Sequence, residues 1–429
     1  MSLRNTPLIF WFFMIGASCS SVKQLAVERD ISDILKKSEV FSKHHTGFSL
    51  YDLEEDRFLS DYNASLLFTP ASNTKLLTMY AALKSFEDSI PGITYSKVDT
   101  ILRIHPTGDP TFLLPEFGNQ PVLKFLKNQQ AIEILFPESI ASYGPGWAWD
   151  DYSYSFQASR TWWPIYGNMV RIIKTDSSVS ITPPFFSEYI EFSNDNSKQQ
   201  LLSRDLRYNK FTVNSPQDTS QIDERIPFAY SQELFLQLLS DTLKVPVAQT
   251  ENHIAEKDTL YSQHIDTVLA KMMKPSDNFL AEQLLIMSAS QNGFDKIDEY
   301  IEYLRTVHLS NLNEMVWVDG SGLSRYNLIA PNDQVRLLKS CLDEFGWDRI
   351  TNILPTGGEG TLKDLYLSET PFIYAKTGTL SNNHNLSGIL ITQSGKRLIF
   401  SLMNNHYTRP TQEVKQAIEN FLLQIKTSY

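Results

Sequence analysis

The sequence predicts an α/β fold of the α+β type, in which helices flank a largely antiparallel sheet and a β-rich region interrupts the chain. Alternating apolar runs near both ends predict two hairpins, in residues 47–61 and 388–402, each with a polar turn at its centre. Between them, residues 90–252 are rich in aromatic residues, proline and serine, and they contain short strand-like runs such as residues 170–173 and 178–181. This middle stretch is therefore expected to be an insertion.

Apolar residues that recur every three or four positions predict the helices around the sheet. One helix begins at Ser72, after the proline-punctuated residues 68–71, and another follows Pro275. The remaining helical patterns cover residues 22–46 (with a polar linker), 295–308, 333–345 and 412–426. A chain of 429 residues fits two or three domains. We expect residues 22–89 and 254–429 to form one domain and residues 90–253 to form the inserted region.

The composition narrows the classes of function. The chain is 42% hydrophobic and 20% charged, as globular proteins are, and its formal charge of -11 with a pI near 5.3 argues against a nucleic-acid binder. No tandem repeat, P-loop or dinucleotide-binding motif is present in the sequence. The histidines show no metal-binding spacing, so a zinc hydrolase is not expected and neither a metal nor a cofactor is predicted.

The N-terminus has the pattern of an export signal. Arg4 precedes an apolar run over residues 7–17, which is too short for a stable membrane anchor and is typical of a signal peptide. We therefore expect residues 1–18 to be a signal peptide and the mature protein to reach the periplasm. Cys19 follows small residues as in a lipoprotein signal, and a lipid at Cys19 is the membrane link that we expect. Cys341, the other cysteine, is predicted to be buried, so no disulfide framework is expected.

Three short motifs carry the chemistry. They are, in chain order, Ser72-Asn73-Thr74-Lys75, Ser276-Asp277-Asn278 and Lys376-Thr377-Gly378. Any one of them is weak alone, because a helix cap or a turn would explain it. A serine hydroxyl is a poor nucleophile unless a base takes its proton, and Lys75, one turn after Ser72, can be that base if burial keeps it neutral. Ser72 and Lys75 are therefore the predicted nucleophile and base.

The other two motifs supply groups for proton transfer and binding. Ser276 and Asn278 stand at the start of a helix, where the hydroxyl can relay a proton and the amide can hold a substrate carbonyl. Lys376 ends an apolar run that predicts a buried strand, and a lysine with neighbouring hydroxyls suits a peptide that has a free carboxylate. Gly378 is expected to let the substrate lie close to the backbone.

With these motifs, the sequence resembles the low-molecular-mass class C penicillin-binding proteins, a family of D-alanyl-D-alanine carboxypeptidases and endopeptidases. The S-x-x-K, S-D-N and K-T-G set is typical of serine enzymes that react with penicillins or with the peptides they mimic. The likeness covers nearly the whole mature chain and rests on residues 70–78, 276–282, 319–327, 354–355, 360–362 and 375–380. The long interval between Ser72 and Ser276 also matches this family, which has inserted domains there.

The resemblance implies a serine β-lactamase/DD-peptidase-like catalytic domain that works through an acyl-enzyme. Ser72 would attack the carbonyl of the penultimate D-alanine of a peptidoglycan stem peptide while Lys75 takes its proton, and Ser276 would pass a proton to the leaving amine. The backbone N–H groups of Ser72 and Thr379 would form the oxyanion hole. The implied substrate-binding residues are Asn278, Lys376, Thr377, Gly378 and Thr379. The expected partners are stem peptides and their cross-links, with β-lactams as inhibitors.

The same resemblance implies a subsite for the diaminopimelate side chain of the stem peptide. Asp151, Phe156 and Arg325 occupy the matching positions: a carboxylate for the ammonium, a ring for the methylenes and a guanidinium for the carboxylate. Asp150 adjoins Asp151, and the sequence leaves open which of the two faces the substrate. Ser381 stands where some relatives have a longer polar side chain.

Three other functions fit parts of the pattern. A serine β-lactamase needs an acidic loop that activates water for deacylation, and no stretch after Ser72 resembles one. An esterase would have no use for the carboxylate site at Lys376. An inert cell-wall-binding protein would lose its nucleophile first, yet Ser72, Lys75 and Ser276 are all present. The predicted function is therefore a serine D-Ala-D-Ala carboxypeptidase or endopeptidase.

Overall fold

The computed structural model of the protein describes residues 31–193, 201–214, 221–252 and 257–429. The predicted signal peptide of residues 1–18, Cys19 and the first part of the helix expected in residues 22–46 lie outside the described residues. The strands are β1 (His45–Asp52), β2 (Arg57–Tyr62), β3 (Ser89–Val98), β4 (Ile101–Pro106), β5 (Ala131–Ile134), β6 (Met169–Lys174), β7 (Val179–Thr182), β8 (Ile190–Ser193), β9 (Leu202–Arg204), β10 (Phe211–Asn214), β11 (Ile222–Pro227), β12 (Val247–Gln249), β13 (Asp258–His264), β14 (Ile373–Leu380), β15 (Asn383–Ile391) and β16 (Arg397–Asn405).

The α-helices are distributed over the whole described chain. They are α1 (residues 31–37), α2 (Lys75–Ser85), α3 (Pro121–Leu126), α4 (Gln232–Leu243), α5 (Ile265–Met273), α6 (Asn278–Gln291), α7 (Ile297–Tyr303), α8 (Pro331–Phe345), α9 (Trp347–Ile353) and α10 (Thr411–Ser428). The predicted helices near residues 333–345 and 412–426 correspond to α8 and α10.

A five-stranded antiparallel sheet forms the centre of the fold. Its strand order is β14-β15-β16-β1-β2, so the two ends of the chain pair through β1 and β16. The two predicted hairpins are present as β1 with β2 and β15 with β16. Strand β14 lies at the edge of this sheet. The prediction of helices around an antiparallel sheet is confirmed.

Both faces of this sheet are covered, so the residues of β1, β15 and β16 are buried nearly throughout. On one face, Phe48 and Phe400 belong to an apolar cluster with Leu35 of α1 and Phe421 of α10. On the other face, Ile399 belongs to a cluster with residues of α2, α5, α6 and α8. Successive residues of a strand point to opposite faces, so Ile399 and Phe400 join different clusters. The sheet is therefore the middle of three layers.

Three predicted elements differ in their ends. The helix expected from Ser72 begins with a 3₁₀ turn, Ala71–Thr74, and α2 starts only at Lys75. The helix expected over residues 295–308 is α7 followed by a π-helical turn, Leu304–His308. Lys376 was expected to end its strand, but β14 continues past it to Leu380. Both the tight turn and the longer strand concern the residues of the predicted site.

The described residues in the middle of the chain form three further sheets around their own apolar cluster. Their strand orders are β12-β5-β4-β3-β13, β11-β6-β7 and β8-β10-β9. Trp163, Phe186, Phe211 and Phe235 are buried in this cluster. The β-rich character predicted for this stretch is present. Strand β13, which follows residue 253, pairs with β3, so the largest of these sheets takes its last strand from beyond the expected inserted region of residues 90–253.

Two further observations concern the buried cysteine and the length of the helices. Cys341 lies in α8 and is fully buried, as predicted, and burial raises the pKa of its thiol above the ordinary range. The thiol therefore stays protonated and behaves as a small apolar group. Across the described residues, the structure has no helix of the length and apolarity that crossing a bilayer requires.

Candidate active site

The first motif forms a serine–lysine pair at the start of α2. Ser72 lies in the 3₁₀ turn and Lys75 is the first residue of α2, and Lys75 Nζ lies 3.0 Å from Ser72 Oγ. Within this turn, the hydroxyl of Thr74 donates to the carbonyl of Ala71 at 2.9 Å. Gly322 packs so closely against the turn that a Cβ there would lie 1.9 Å from the carbonyl oxygen of Ala71. The position of Ser72, the predicted nucleophile, is therefore fixed from two sides.

Lys75 is completely buried and has three oxygen neighbours. Its Nζ lies 2.6 Å from Asn278 Oδ1, 2.7 Å from the carbonyl oxygen of Ser321 and 3.0 Å from Ser72 Oγ. A neutral amine has two N–H donors and one lone pair. The two carbonyl oxygens accept the two N–H groups, which leaves the lone pair for the hydroxyl proton of Ser72. A general base for Ser72 requires this arrangement.

Burial also changes the protonation of Lys75. Removal from water disfavours the ammonium and lowers the pKa of Lys75 to about 8, although the carboxylates of Asp277, Asp319 and Glu282 act in the opposite direction. An ordinary lysine, whose pKa is about 10.4, is almost fully charged at about pH 8. Lys75 is thus neutral in a large fraction of molecules at mildly alkaline pH.

The second motif is placed by the start of α6. Asp277 is the N-cap, and its carboxylate accepts a backbone N–H of the first turn at 2.8 Å. Ser276 precedes the cap with a φ of 66°, a left-handed conformation that is costly for a residue with a side chain. The amide of Asn278 accepts from Lys75 and donates to the carbonyl of Phe156 at 3.0 Å. Asn278 therefore links Lys75 to the inserted region.

The third motif lies on the edge strand β14, and its lysine contacts Ser276 of the second motif. Lys376 Nζ lies 2.8 Å from Ser276 Oγ and 2.7 Å from the carbonyl oxygen of Thr377. The side chain is fully buried, and burial, followed by the charge of Lys75, lowers the pKa of Lys376 well below its ordinary range. The hydroxyl of Thr377 donates to that of Thr361 at 2.8 Å. All three predicted motifs thus meet in one place.

Gly378 packs against the backbone near Ser72, and this neighbour differs from the substrate that the sequence predicted beside it. A Cβ at this position would lie 2.3 Å from the carbonyl oxygen of Pro70 and 3.1 Å from the backbone nitrogen of Ser72. The glycine lets β14 pack against the turn that carries Ser72, whereas the sequence predicted a close approach of the substrate. Beside it, Thr379 Oγ1 lies 2.8 Å from Nδ1 of His384 on β15. Burial lowers the pKa of His384 to about 3, so this ring is neutral.

Of the motif residues, Ser72, Ser276 and Asn278 line one cleft of about 570 Å³, which also contains the predicted side-chain subsite. Asp151 lines the cleft and Asp150 does not, so Asp151 stays the predicted residue of the pair. The lining residues are Ser72, Asp151, Phe156, Ser276, Asn278, Gly322, Leu323, Arg325, Thr379, Leu380, Ser381 and Thr411. Two larger cavities, of about 750 and 830 Å³, lie elsewhere in the described chain and contain none of the predicted site residues.

The three subsite residues are open to solvent or nearly so. Phe156 is 41% exposed and stacks on Tyr154, with the ring centroids 5.3 Å apart. Burial, followed by the charge of Asp150, raises the pKa of Asp151, and the guanidinium of Arg325 lowers it. Arg325 is exposed and forms no ion pair with any residue in the described ranges. The guanidinium is therefore available to a ligand.

Sequence reasoning missed the residues behind the motifs. Asp319 accepts the backbone N–H groups of Gly322 at 2.9 Å and Ser324 at 2.7 Å, and the indole N–H of Trp147 at 2.9 Å. Asp319 thus shapes the turn whose Ser321 carbonyl meets Lys75. Residues 276–282 and 319–327 had been singled out for their resemblance, but the pairing between them shows only in three dimensions. The other contacts missed are those of Glu282, Arg160, Thr361 and His384.

The fold and the site define a class of protein. An antiparallel sheet with helices on both faces, a serine–lysine pair at a helix start and a second lysine on the edge strand are features of the serine enzymes that penicillins acylate. The crystal structure of penicillin-binding protein 4 from Haemophilus influenzae has the same fold. It aligns with a TM-score of 0.71 at 21% identity and covers 92% of this chain and 98% of that chain.

The family follows from the sequence comparisons. The model of the D-Ala-D-Ala carboxypeptidase 3 (S13) family matches residues 27–425, so the chain belongs to this family of serine-type D-Ala-D-Ala carboxypeptidases. The D-alanyl-D-alanine carboxypeptidase DacB of Haemophilus influenzae is 24% identical over 443 residues, which cover 90% of each protein. The penicillin-sensitive carboxypeptidase A of Dictyostelium discoideum is 22% identical and covers 83% of this chain and 81% of its own length. The predicted family and enzyme class are confirmed.

Proposed function

We propose that the protein cleaves D-Ala-D-Ala ends of peptidoglycan stem peptides, and the cross-links between them, through an acyl-enzyme on Ser72. The observation that carries this proposal is the set of three oxygens around Lys75 Nζ: two carbonyl oxygens that can take both N–H groups of the neutral amine, and Ser72 Oγ, which is left for the lone pair. Membership of a carboxypeptidase family supports the reaction class. A desolvated base beside a serine in a cleft serves catalysis and has no use in an inert binding protein.

Acylation follows from this geometry. Lys75 takes the hydroxyl proton of Ser72 while Oγ forms a bond to the carbonyl carbon of the penultimate D-alanine. The backbone N–H groups of Ser72 and Thr379, both lining the cleft, stabilise the oxyanion. The C–N bond to the terminal D-alanine then breaks, and a proton reaches the leaving amine through Ser276. Water hydrolyses the ester and releases the shortened peptide.

Strand β14 supplies the carboxylate end of the site. A peptide lies well beside an edge strand, because the main-chain groups there are not paired with another strand. Thr379 lines the cleft, while Lys376, Thr377 and Gly378 form the strand behind it. An arriving carboxylate favours the charged form of Lys376, so binding raises the pKa that burial lowers. Asn278 holds the stem peptide from the opposite side.

Asp151, Phe156 and Arg325 form the side-chain subsite in this proposal. Their charges and the ring complement an ammonium, a carboxylate and the methylenes between them, which is the chemistry of a diaminopimelate side chain. Their common position in the cleft supports the assignment. Because neither charged side chain has a hydrogen-bonded partner in the described ranges, both charges remain for the ligand.

We further propose that residues 22–89 with 254–429 form the catalytic domain and that residues 90–253 form the inserted one, since the middle of the chain has its own apolar cluster. A cell-wall peptidase acts in the cell envelope. We propose export by the signal peptide of residues 1–18 to the periplasm and a lipid on Cys19. Cys19→Ala should release the intact protein from the membrane fraction or block its processing; unchanged fractionation and processing would contradict the lipid.

Two measurements test the function. Labelled penicillin should acylate residue 72 and no other, and label that persists in Ser72→Ala would refute this nucleophile. Digestion of purified peptidoglycan, followed by mass spectrometry of the fragments, should show loss of a terminal alanine and conversion of cross-linked dimers to monomers as separate products. Sustained hydrolysis of a chromogenic β-lactam, in place of stoichiometric acylation, would indicate a β-lactamase instead.

A further inference from the structure

Two buried carboxylates lie behind the cleft, and the proposed chemistry does not use them. Glu282 of α6 is 2% exposed and Asp319 is 0% exposed. Negative charges without water are costly unless neighbouring groups compensate them. Burial, followed by the charge of Asp319, raises the pKa of Glu282 to about 7. The contacts of Glu282 indicate why such a costly group is present.

Glu282 accepts a hydrogen bond from Ser321, the residue whose carbonyl contacts Lys75. Its Oε1 accepts the backbone N–H of Ser321 at 2.7 Å, and the carbonyl oxygen of Ser321 accepts from Lys75 Nζ at 2.7 Å. Gly320 and Gly322 flank Ser321, and glycines give a chain little stiffness of its own. The position of this carbonyl therefore depends on the side chains that hold the turn. Glu282 is one of them.

The inserted region supplies the countercharge. Arg160 Nη1 lies 3.6 Å from Glu282 Oε2, and the guanidinium is 6% exposed and anchored to two backbone carbonyl groups at 3.1 and 3.0 Å. Trp147, from the same stretch of chain, donates to Asp319 at 2.9 Å, and the Arg160 guanidinium lies 5.7 Å from the centre of its ring. Each of the two carboxylates thus has one partner from the inserted region.

We propose that Glu282 is a positioning residue for acylation: it holds the Ser321 carbonyl that orients Lys75, while Arg160 of the inserted region supplies a countercharge that favours the carboxylate form of Glu282. The inference rests on the proposed function, because it requires Lys75 to be the base for Ser72. The inserted region then contributes to the orientation of the base as well as to substrate binding.

The carboxylate acts on Lys75 in two separable ways. As a hydrogen-bond acceptor it fixes the Ser321 turn. As a charge it favours the ammonium of Lys75, as Asp277 and Asp319 also do, whereas Lys376 is the cation that faces the same buried space. Only neutral Lys75 can take a proton, so the acylation rate rises with pH through the pKa of Lys75. Loss of the charge lowers that pKa and moves the rise to lower pH; loss of the acceptor lowers the maximum rate.

Two substitutions separate these effects. Glu282→Gln keeps a carbonyl acceptor for Ser321 and removes the charge, whereas Glu282→Ala removes both. With a labelled penicillin, we expect Glu282→Gln to move the rise of the acylation rate toward lower pH by about half a unit or more, with a maximum within about threefold of wild type. Glu282→Ala should lower the maximum by about tenfold or more, because the lone pair of Lys75 is no longer aimed at Ser72.

Asp333→Asn is the matched control. Asp333 is a fully buried carboxylate on α8 that pairs with Arg336 at 2.7 Å, so its loss tests burial and pairing away from the cleft. It should change neither the pH of the rise nor the maximum. Because Glu282→Gln leaves the guanidinium of Arg160 without its partner, the double variant Arg160→Met/Glu282→Gln restores the balance of charge and takes over the test if the single variant does not fold.

The outcomes distinguish this inference from the proposed function. A wild-type protein that is not acylated at Ser72 refutes the proposed function itself. Normal acylation of the wild type, with an unshifted pH rise in Glu282→Gln or the double variant and an unchanged maximum in Glu282→Ala, overturns the role of Glu282 alone. Lower thermal stability with an unshifted pH rise also overturns it, because a merely structural residue would behave in that way.

Discussion

The catalytic side and the recognition side of the cleft are built in opposite ways. On the catalytic side, Lys75 Nζ lies 3.0 Å from Ser72 Oγ and Lys376 Nζ lies 2.8 Å from Ser276 Oγ, and both lysines are fully buried. Each of these groups is held before any substrate arrives. Preorganised groups of this kind need little rearrangement during the reaction.

The recognition side has side chains that line the cleft but make no hydrogen bonds to one another. Asp151, Phe156 and Arg325 line the same cleft, yet no hydrogen bond joins their side chains among the described residues, and Phe156 is 41% exposed. This difference separates the groups proposed to carry out the reaction from the groups proposed to select the substrate. A change on the catalytic side should impair every substrate alike, whereas a change on the recognition side should impair only substrates that carry the matching side chain.

The largest effect is expected from Lys75→Ala. Because a nucleophile and its base act as one unit, this change should lower acylation by penicillin and by peptides about 10³-fold or more, nearly as much as Ser72→Ala. Stopped-flow measurements with a labelled penicillin check the rate. Lys84→Ala, at the exposed end of the same helix, should have no effect. Near-wild-type acylation by Lys75→Ala with an unchanged pH profile would place the base elsewhere.

The next largest effect concerns the packing that fixes the nucleophile. In Gly322→Ala, the new Cβ would lie 1.9 Å from the carbonyl oxygen of Ala71, and the residue has a φ of 79°. The turn that carries Ser72 must shift, so acylation should fall about 100-fold or more for all substrates. Gly395→Ala is the control: its φ is 91°, so the backbone strain is similar, but no atom lies within 4 Å of the new Cβ. Equal losses in both variants would attribute the effect to strain alone.

The catalytic side could be predicted from the sequence because its positions are local. Ser72 and Lys75 are one turn apart, and Asp277 caps the helix that begins at Asn278, so short motifs determine which groups point together. The edge strand that carries Lys376 also has an apolar pattern of its own. Even so, the sequence did not show that the nucleophile lies in a 3₁₀ turn or that Gly378 faces that turn, since both depend on packing between β14 and residues 70–73.

The groups behind the motifs could not be predicted, because their contacts join distant parts of the chain. The Ser321 carbonyl is 246 positions from Lys75 in the sequence. The backbone N–H of Thr161 donates to the side-chain oxygen of Gln283, which is 122 positions away. No periodicity indicates which turn meets which helix. Glu282 belongs to a stretch that was singled out for its resemblance, but nothing in the sequence pairs it with Arg160; only the structure shows that the two are buried side by side.

On the recognition side, Arg325→Ala should produce a selective loss. Turnover of peptides that carry diaminopimelate should fall about thirtyfold, as expected when a charge-assisted contact worth roughly 2 kcal/mol is lost. Acylation by penicillin should stay close to wild type, because penicillin has no group that reaches this subsite. Kinetics with a diaminopimelate peptide and with a diacetyl-lysyl-D-Ala-D-Ala peptide compare the two. An equal loss on both peptides and on penicillin would mean that Arg325 supports the fold.

A smaller selective loss is expected from Asp151→Asn. Asp151 lines the cleft and the adjacent Asp150 does not, so neutralising the first should lower kcat/KM for the diaminopimelate peptide about tenfold, while Asp150→Asn should change it less than about twofold. The pair is a matched comparison of neighbouring carboxylates. If Asp150→Asn gives the larger loss, Asp150 is the residue that binds the ammonium.

The smallest effect on activity is expected from Asp109→Asn, which tests whether the inserted region can be altered without touching the chemistry. Asp109 is 1% exposed, and burial raises its pKa from 3.8 to about 6 although it accepts the N–H of Thr111 at 2.8 Å. Because the folded state prefers the protonated form, its contribution to stability is complete below about pH 4 and is lost as the pH rises through about 6.

Wild-type protein should therefore lose up to about 3 kcal/mol of unfolding free energy from this carboxyl between pH 4 and pH 7, and Asp109→Asn should lose correspondingly less. Urea unfolding at the two pH values measures the difference, with the exposed Asp99→Asn as control. Acylation by penicillin at about pH 8 should match wild type, because Asp109 contacts no group of the cleft. A large loss of acylation in folded Asp109→Asn would instead show that the inserted region is coupled to the base at more points than Phe156, Arg160 and Trp147.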